Sequence, residues 1–289
     1  MDRLIADLAS PLIMGILLGG LYAVIALGLS LVFGVMRLIN VAHGDLVIFG
    51  SYFAYLIVTL LGIDPVLSLV MGMPLLFLLG FAIQKFLMAR AFKQSMEAPL
   101  IIAFGISLVL ENVYQIIFSP MSRGISTSYS MESFIIRGVY IPVVYVLNFI
   151  VALLVMVALH AFLKKTYLGQ AIIAASQDGM AAQLMGINTA RIFAFTFGIS
   201  GATAAVAGVF LGLTFPFTPV SGISFLIIAF GVVILGGLGS IMGTFLGGMI
   251  LGLAQTLGAY FFGSAAQMLI LDVMVLVILA VRPQGLFGR

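Results

Sequence analysis

Hydrophobic residues in this chain occur in long runs, separated by short stretches that hold most of the charge. A bilayer core of about 30 Å needs ~20 apolar residues per helix, so runs of roughly 16 or more with at most one charge are candidate spans. Nine segments qualify: 11–34, 46–62, 65–85, 98–119, 139–163, 191–214, 223–238, 240–263 and 266–281. The pattern predicts an all-α polytopic membrane protein, with residues 1–289 forming a single transmembrane domain.

The seventh and ninth segments are the weakest candidates for full spans. The seventh is short and interrupted by glycine, and the ninth contains Asp272. Either is compatible with a half-helix or a re-entrant segment lining a cavity. Eight full spans is therefore the alternative to nine.

Composition excludes a water-soluble fold. Hydrophobic residues make up 63% of the chain and charged residues only 7%, against roughly 25% charged in soluble domains. The formal net charge is +3, but the basic residues are scattered between apolar runs, which indicates membrane topology rather than nucleic-acid binding. There is no cysteine, so thiolate metal sites, disulfides and cysteine nucleophiles are excluded.

Basic residues are divided unequally between the two sides of the nine-span arrangement. Nine share one side and three the other: Arg37, Lys85, Arg90, Lys93, Lys164, Lys165, Arg191, Arg282 and Arg289 against Arg3, Arg123 and Arg137. Because positive loops stay in the cytoplasm, the C-terminus is predicted to be cytoplasmic and the N-terminus outside.

Two connections are longer than simple turns. Residues 119–138 are polar and serine-rich, and the topology places them outside, where a soluble partner could dock. Residues 164–190 are cytoplasmic and helix-prone, with alanine-rich turns bounded by Gly169 and Gly186.

Several catalytic and channel motifs are absent. No G-x-x-x-x-G-K-[ST] occurs, so ATP coupling would have to come from a partner, and the potassium-filter sequence TVGYG is also missing. Residues 198–201 (GISG) have the form of an intramembrane serine protease motif, but both histidines, His43 and His160, precede Ser200. We therefore assign no catalytic residue and no metal site, and interpret these small residues as helix-packing positions.

Residues 37–45 (RLINVAHGD) place polar side chains between two spans. Asn40 and His43 are three apart and are expected to share a helix face. Asp45 is expected to cap the second span and pair with Arg37. Capping and a role in the translocation pathway are both open at this point.

Other polar groups lie inside predicted spans. Glu111 in the fourth and Asp272 in the ninth are costly in lipid, so we expect them to face the bundle interior or a pathway. A structural polar pair and a substrate contact are equally compatible with each.

Glycine appears in two patterns. Small residues four apart recur at Gly15/Gly19, Gly198/Ala202, Gly243/Gly247 and Gly248/Gly252, which is typical of close helix packing in lipid. The tract 236–240 (GGLGS) should instead break a helix at membrane depth. A broken helix is tolerated where it is buried or lines a cavity, so Gly237 and Gly239 are candidates for a pathway or hinge.

Three separated tracts carry a family resemblance: GGLYAVIALGLSLVFGVMRLINVAHGDLVIFGSY (19–52), LGQAIIAASQDGMAAQLMGINTARIFAFTFGISGATAAVAGV (168–209) and RPQGLFG (282–288). Together they resemble the permease subunits of high-affinity branched-chain amino acid ABC importers, over essentially the whole chain. The resemblance implies a bacterial inner-membrane protein, one of two related permeases. Its implied partners are two cytoplasmic ATP-binding subunits and a periplasmic substrate-binding protein, with no cofactor in this chain.

The resemblance also implies a coupling role for residues 164–190. In ABC importers a short cytoplasmic permease helix sits in a cleft of the ATPase. Five residues match this family's version: Ala174, Asp178, Ala181, Ala182 and Gly186. Importers of urea and short amides share the permease family and remain an alternative, as does an independent channel or secondary carrier.

Overall fold

The computed structural model describes residues 2–92, 94–95, 97–136, 138–281 and 285–286, and it describes the backbone alone for residues 2–7, 268, 279 and 281. Several residues used in the topology and family arguments lie outside this described part: Lys93, Arg137, Arg282, Arg289, the side chain of Arg3 and most of 282–288.

Helices form most of the described chain. In order they are α1 (Asp2–Met36), α2 (His43–Leu61), α3 (Leu69–Ala82), α4 (Ala89–Ala91), α5 (Ala98–Phe118), α6 (Val143–Lys165), α7 (Tyr167–Gln177), α8 (Gly179–Leu184), α9 (Thr189–Thr214), α10 (Gly222–Gly236), α11 (Ile241–Phe262) and α12 (Gln267–Val281). A π-helical segment (Ile83–Met88) joins α3 to α4, and 3₁₀ turns lie at Ser128–Ser130 and Ser264–Ala266.

Among the described residues, seven helical stretches are long and apolar enough to cross a membrane: Leu8–Met36, His43–Leu61, Leu69–Ala91, Ala98–Phe118, Val143–Lys165, Thr189–Thr214 and Ile241–Phe262. Two more, Gly222–Gly236 and Ser264–Ile278, are apolar but shorter. These two coincide with the seventh and ninth predicted segments. The prediction of a polytopic helical membrane protein is confirmed, while nine complete spans stays a prediction.

The first helix, α1, is the centre of the bundle and packs against α6, α9, α10 and α11. Gly15 and Gly19 approach α11 so closely that a Cβ on either would collide with its backbone. Gly248 and Gly252 on α11 approach α1 in the same way. Close contact between backbones holds helices together in lipid, where hydrophobic burial gives little driving force. The predicted packing role of these glycines is confirmed.

The tract between α10 and α11 breaks the helix as predicted. Gly237 and Gly239 have φ angles of 91° and 81°, a region that a Cβ strongly disfavours. The Ser240 hydroxyl accepts a 3.1 Å hydrogen bond from the Gly243 N–H and so caps the start of α11. Gly239 lies directly against Gly34, close to the end of α1.

A small β-hairpin precedes α6, which the all-α prediction did not include. Strand β1 (Ser133–Ile136) pairs antiparallel with β2 (Val139–Pro142). The fifth span therefore begins at Val143 and not at residue 139, because Pro142 has an extended backbone immediately before the helix.

The 164–190 segment contains α7 and α8, which meet at Asp178. Gly169 was expected to bound the helical region, but it lies inside α7, where close contact with Leu163 of α6 leaves no room for a Cβ. Ile172 and Ala175 of α7 are buried. This segment is therefore anchored on its own chain through α7.

Candidate functional site

The second helix begins inside the bundle. After α1 ends at Met36, residues 37–42 are non-helical, and α2 starts at His43. The His43 side chain is 2.8 Å from the backbone oxygen of Ile25, about three turns, or roughly 16 Å, before the end of α1. Because Asn40 lies in the non-helical stretch, the expectation that it shares a helix face with His43 was wrong.

The start of α10 meets the start of α2 at this depth. A Cβ on Gly44 would overlap the carbonyl of Gly222, and a Cβ on Gly222 would overlap the carboxylate of Asp45. With 15 residues, α10 is only about 22 Å long. It runs from this meeting point toward the end of α1. Two helix N-termini, each carrying partial positive charge, therefore converge at Asp45.

Asp45 is almost completely buried, with 2% of its surface exposed. Its Oδ2 accepts a hydrogen bond from the Ser107 hydroxyl, and its backbone carbonyl accepts one of 2.9 Å from the Tyr114 hydroxyl. Its Oδ1 has no hydrogen-bond partner among the described residues. One carboxylate oxygen is thus buried against Gly222 without a described hydrogen-bond donor.

The predicted capping and Arg37 pairing of Asp45 are corrected. The N-cap position of α2 is Ala42, which makes no side-chain cap, and Asp45 lies within the first turn. Arg37 is exposed where α1 ends. Burial against Ser107 therefore separates Asp45 from that guanidinium.

His43 and Ser200 also meet at this site, both fully buried. A carbonyl oxygen only accepts hydrogen bonds, so the contact with Ile25 requires His43 Nε2 to carry the proton. Nδ1 is then an acceptor, and the Ser200 hydroxyl lies 3.4 Å from it. A serine nucleophile and its base need about 2.6–3.2 Å, so this contact fits the predicted packing role better than catalysis.

Asn40 is completely buried, and neither its Oδ1 nor its Nδ2 has a hydrogen-bond partner among the described residues. An unsatisfied buried polar group costs roughly 1–3 kcal/mol. The Asn40 amide is therefore a candidate to bind a polar ligand or a water molecule.

An aromatic cluster surrounds Tyr52, which lies on α2 two turns beyond Asp45. The Tyr52 ring stacks on Phe118 with centroids 4.1 Å apart, and it contacts Phe217 at 4.9 Å and Tyr114 at 5.2 Å. These rings form an apolar wall on one side of the polar residues.

Sequence reasoning missed Ser107 and Tyr114 on α5. Together with Glu111 they are spaced four and three residues apart, which places all three on one helix face. This spacing is visible in the sequence and could have identified Ser107 and Tyr114, but of the three residues only Glu111 was considered there. Glu111 is half-buried on that face.

The other predicted pathway residues lie elsewhere. Gly237 and Gly239 follow the far end of α10, away from its start at Gly222. Asp272 is exposed on α12, which packs against α10 and α11. The site therefore contains Asn40, His43, Asp45 and Glu111 of the predicted set.

The predicted coupling residues lie in and around α8. The Asp178 carboxylate accepts hydrogen bonds of 2.9 Å from the N–H groups of Met180 and Ala181 and caps this helix. Gly186 has a φ of 84° and follows the end of α8 in a left-handed conformation, as is typical of glycine after a helix. Ala174 is half-buried, Ala181 exposed and Ala182 buried. Their contact with a partner stays a prediction.

Known proteins share sequence similarity with this chain over nearly its whole length. Residues 12–280 match the family model described as the permease component of branched-chain amino acid transport systems. The permease protein BraD of Pseudomonas aeruginosa is 36% identical over 300 residues, covering 96% of this chain and 95% of the relative. BraD is named as part of a high-affinity branched-chain amino acid transport system.

Two further relatives bear related names. The LivH permease protein of Escherichia coli K12 is 31% identical, covering 95% of this chain and 94% of its own. The probable LivH permease protein of Methanocaldococcus jannaschii is also 31% identical, covering 99% and 95%. By these matches, the chain belongs to the family of permease components of branched-chain amino acid transport systems.

Proposed function

We propose that this chain is an inner-membrane permease subunit that moves branched-chain amino acids (leucine, isoleucine and valine) inward. ATP hydrolysis on partner subunits would drive the movement. The observation that carries the proposal is the buried carboxylate of Asp45 at the point where α2 and α10 begin inside the bundle. In many transporters, helix termini at membrane depth carry partial charges that bind the charged groups of the substrate.

The chemistry of the site suits a zwitterionic amino acid. The free Oδ1 of Asp45, with Glu111 nearby, would bind the ammonium group. The N-termini of α2 and α10 and the Asn40 amide would bind the carboxylate. The ring cluster around Tyr52 would contact the aliphatic side chain. Urea and short amides lack both charges, so this site favours the amino acid alternative.

A second permease subunit is part of the proposal, and α5 suggests where it would contact this one. Only one narrow face of α5 is buried, and Asn112 and Gln115 lie on its exposed side. Amides facing lipid are unfavourable, whereas amides between helices form hydrogen bonds. We assign the exposed side of α5 to the contact between the two permeases, with the pathway alongside it.

The orientation follows the distribution of basic residues, with α7 and α8 in the cytoplasm and the 119–138 loop outside. The two cytoplasmic ATP-binding subunits would contact α8, and a periplasmic binding protein would deliver substrate to the outer loop. This chain would hold no cofactor of its own.

Reconstitution of the chain with its partner subunits in liposomes tests the proposal. We expect uptake of radiolabelled leucine that requires ATP inside, is competed by isoleucine and valine, and is unaffected by excess urea or acetamide. Uptake without ATP would indicate a channel or secondary carrier. Competition by the amides alone would indicate the alternative substrate class.

A further inference from the structure

A separate groove lies where the π-helical segment after α3 meets the start of α9. Its volume is about 460 Å³. The residues that line it are Phe81, Lys85, Ala89, Asn188, Ala190, Arg191 and Ala194. None of these belongs to the site at Asp45 or to the predicted coupling residues.

The two cations of this groove lie over aromatic rings, and Lys85 Nζ is 5.4 Å from the Phe86 centroid. Lys85 Nζ lies 5.9 Å from the centroid of the Phe81 ring, and the Arg191 guanidinium lies 5.7 Å from that of Phe195. Phe81 and Phe195 pack edge to face at 5.3 Å. Cation–ring contacts orient these side chains without neutralising their charge. Neither cation forms an ion pair with any residue that the structure describes.

The start of α9 adds a third positive element. This helix has 26 residues, and its first turn contributes Ala190 and Arg191 to the groove. Asn188 caps the helix by accepting a 3.0 Å hydrogen bond from the Arg191 N–H. The helix dipole therefore places partial positive charge beside two full charges, a combination that binds phosphate in many proteins.

The flank next to the groove is strongly apolar. Leu78, Phe86 and Leu87 are exposed at 63%, 54% and 44%, and they lie on the helical stretch Leu69–Ala91 that is long enough to cross a membrane. A ligand in the groove would therefore meet two cations at one end and a lipid-facing surface at the other. This combination matches a phospholipid better than an acidic segment of a soluble protein.

We propose that the groove binds the phosphate headgroup of an anionic phospholipid, with the acyl chains lying along the apolar flank. Basic pockets between membrane helices are known to hold such headgroups. The π-helical turn that carries Lys85 is a geometry often found at functional positions. The bound lipid would tie α3 to α9, the helix that follows α8.

Native mass spectrometry of the full-length chain in detergent tests this proposal, with dioleoyl phosphatidylglycerol and dioleoyl phosphatidylcholine as probes. We expect preferential retention of phosphatidylglycerol. The double variant Lys85→Gln/Arg191→Gln should lower its apparent affinity roughly ten- to thirtyfold. The matched control is Lys164→Gln/Lys165→Gln, which removes two exposed cations from the end of α6 and should bind like the wild type.

Competition with inorganic phosphate distinguishes a phospholipid headgroup from free phosphate as the anion that the groove binds. If millimolar phosphate leaves phosphatidylglycerol bound, the groove recognises the lipid, as proposed. If phosphate displaces the lipid completely, the groove is a site for free phosphate. Equal retention by the two double variants, or equal retention of the two lipids by the wild type, would overturn the proposal. Thermal melting of each variant, with and without phosphatidylglycerol, checks that both fold.

Discussion

Asp45 and Asn40 are polar residues that burial should disfavour, yet both lie in the interior beside the start of α2. Asp45 is compensated by the Ser107 hydroxyl and by two helix N-termini. Asn40 has no compensating hydrogen bond among the described residues. Among single residues, the site therefore combines a buried carboxyl group that is hydrogen-bonded by Ser107 with a buried amide that has no described partner.

Asn40→Leu should reduce transport without reducing the stability of the chain. Leucine has the same branched arrangement of side-chain heavy atoms and carries no buried polar atoms, so we expect the melting temperature of the purified chain to stay the same or rise. Leucine uptake should fall by about tenfold, since one hydrogen bond to a charged carboxylate is lost. A large loss of stability with uptake per folded molecule unchanged would show that Asn40 is structural.

The sequence identified Asn40, His43 and Asp45 as a group but not their partners. Ser107 and Tyr114 come from α5, and Gly222 from α10. Such contacts depend on how distant helices are placed, which periodicity within a single span does not specify. The hairpin before α6 was missed because the apolar strand β2 continues directly into an apolar helix.

At the scale of elements, the bundle depends on the contact between α1 and α11. Here the sequence was informative, because small residues four apart predict close helix packing regardless of how the other helices are arranged. It was equally informative at 236–240, where the two glycines with positive φ leave no continuous helix. The short length of α10 follows from that break.

Gly248→Val should destabilise the bundle. A side chain there meets the backbone of Gly19 and Ala23, so the helices must separate at a cost of about 1–3 kcal/mol or more. Gly105→Val on α5 is the matched control, because a Cβ at Gly105 meets nothing within 4 Å. Thermal melting in detergent should show a clear drop for Gly248→Val alone. Equal melting temperatures would contradict this account of the α1–α11 contact.

Asp178 offers a test of the coupling helices. Asp178→Asn keeps a side-chain oxygen that caps α8, whereas Asp178→Ala removes the cap at a cost of about 0.5–2 kcal/mol. We expect the ATP-binding subunits to co-purify with Asp178→Asn but less with Asp178→Ala. If both variants lose the ATPase equally, the negative charge itself makes the contact.

For the whole molecule, inward transport requires that α7 and α8 face the cytoplasm and the 119–138 loop faces outside. The chain has no cysteine, so single introduced cysteines can be labelled without background from native ones. Ser126→Cys in the 119–138 loop should react with a membrane-impermeant maleimide from outside intact cells, and Gln177→Cys at the end of α7 only after permeabilisation. Labelling of both from one side would contradict the proposed topology.

The central claim is that Asp45 forms the substrate site of a branched-chain amino acid permease. The most direct measurement is ATP-driven leucine uptake by the reconstituted complex carrying Asp45→Asn, compared with Glu97→Gln, which removes an exposed carboxylate just before α5. The account predicts that Asp45→Asn lowers uptake at least about tenfold, through loss of a charged hydrogen bond, while the complex stays assembled. Glu97→Gln should transport normally. Uptake by an assembled Asp45→Asn complex at the wild-type rate would contradict the claim.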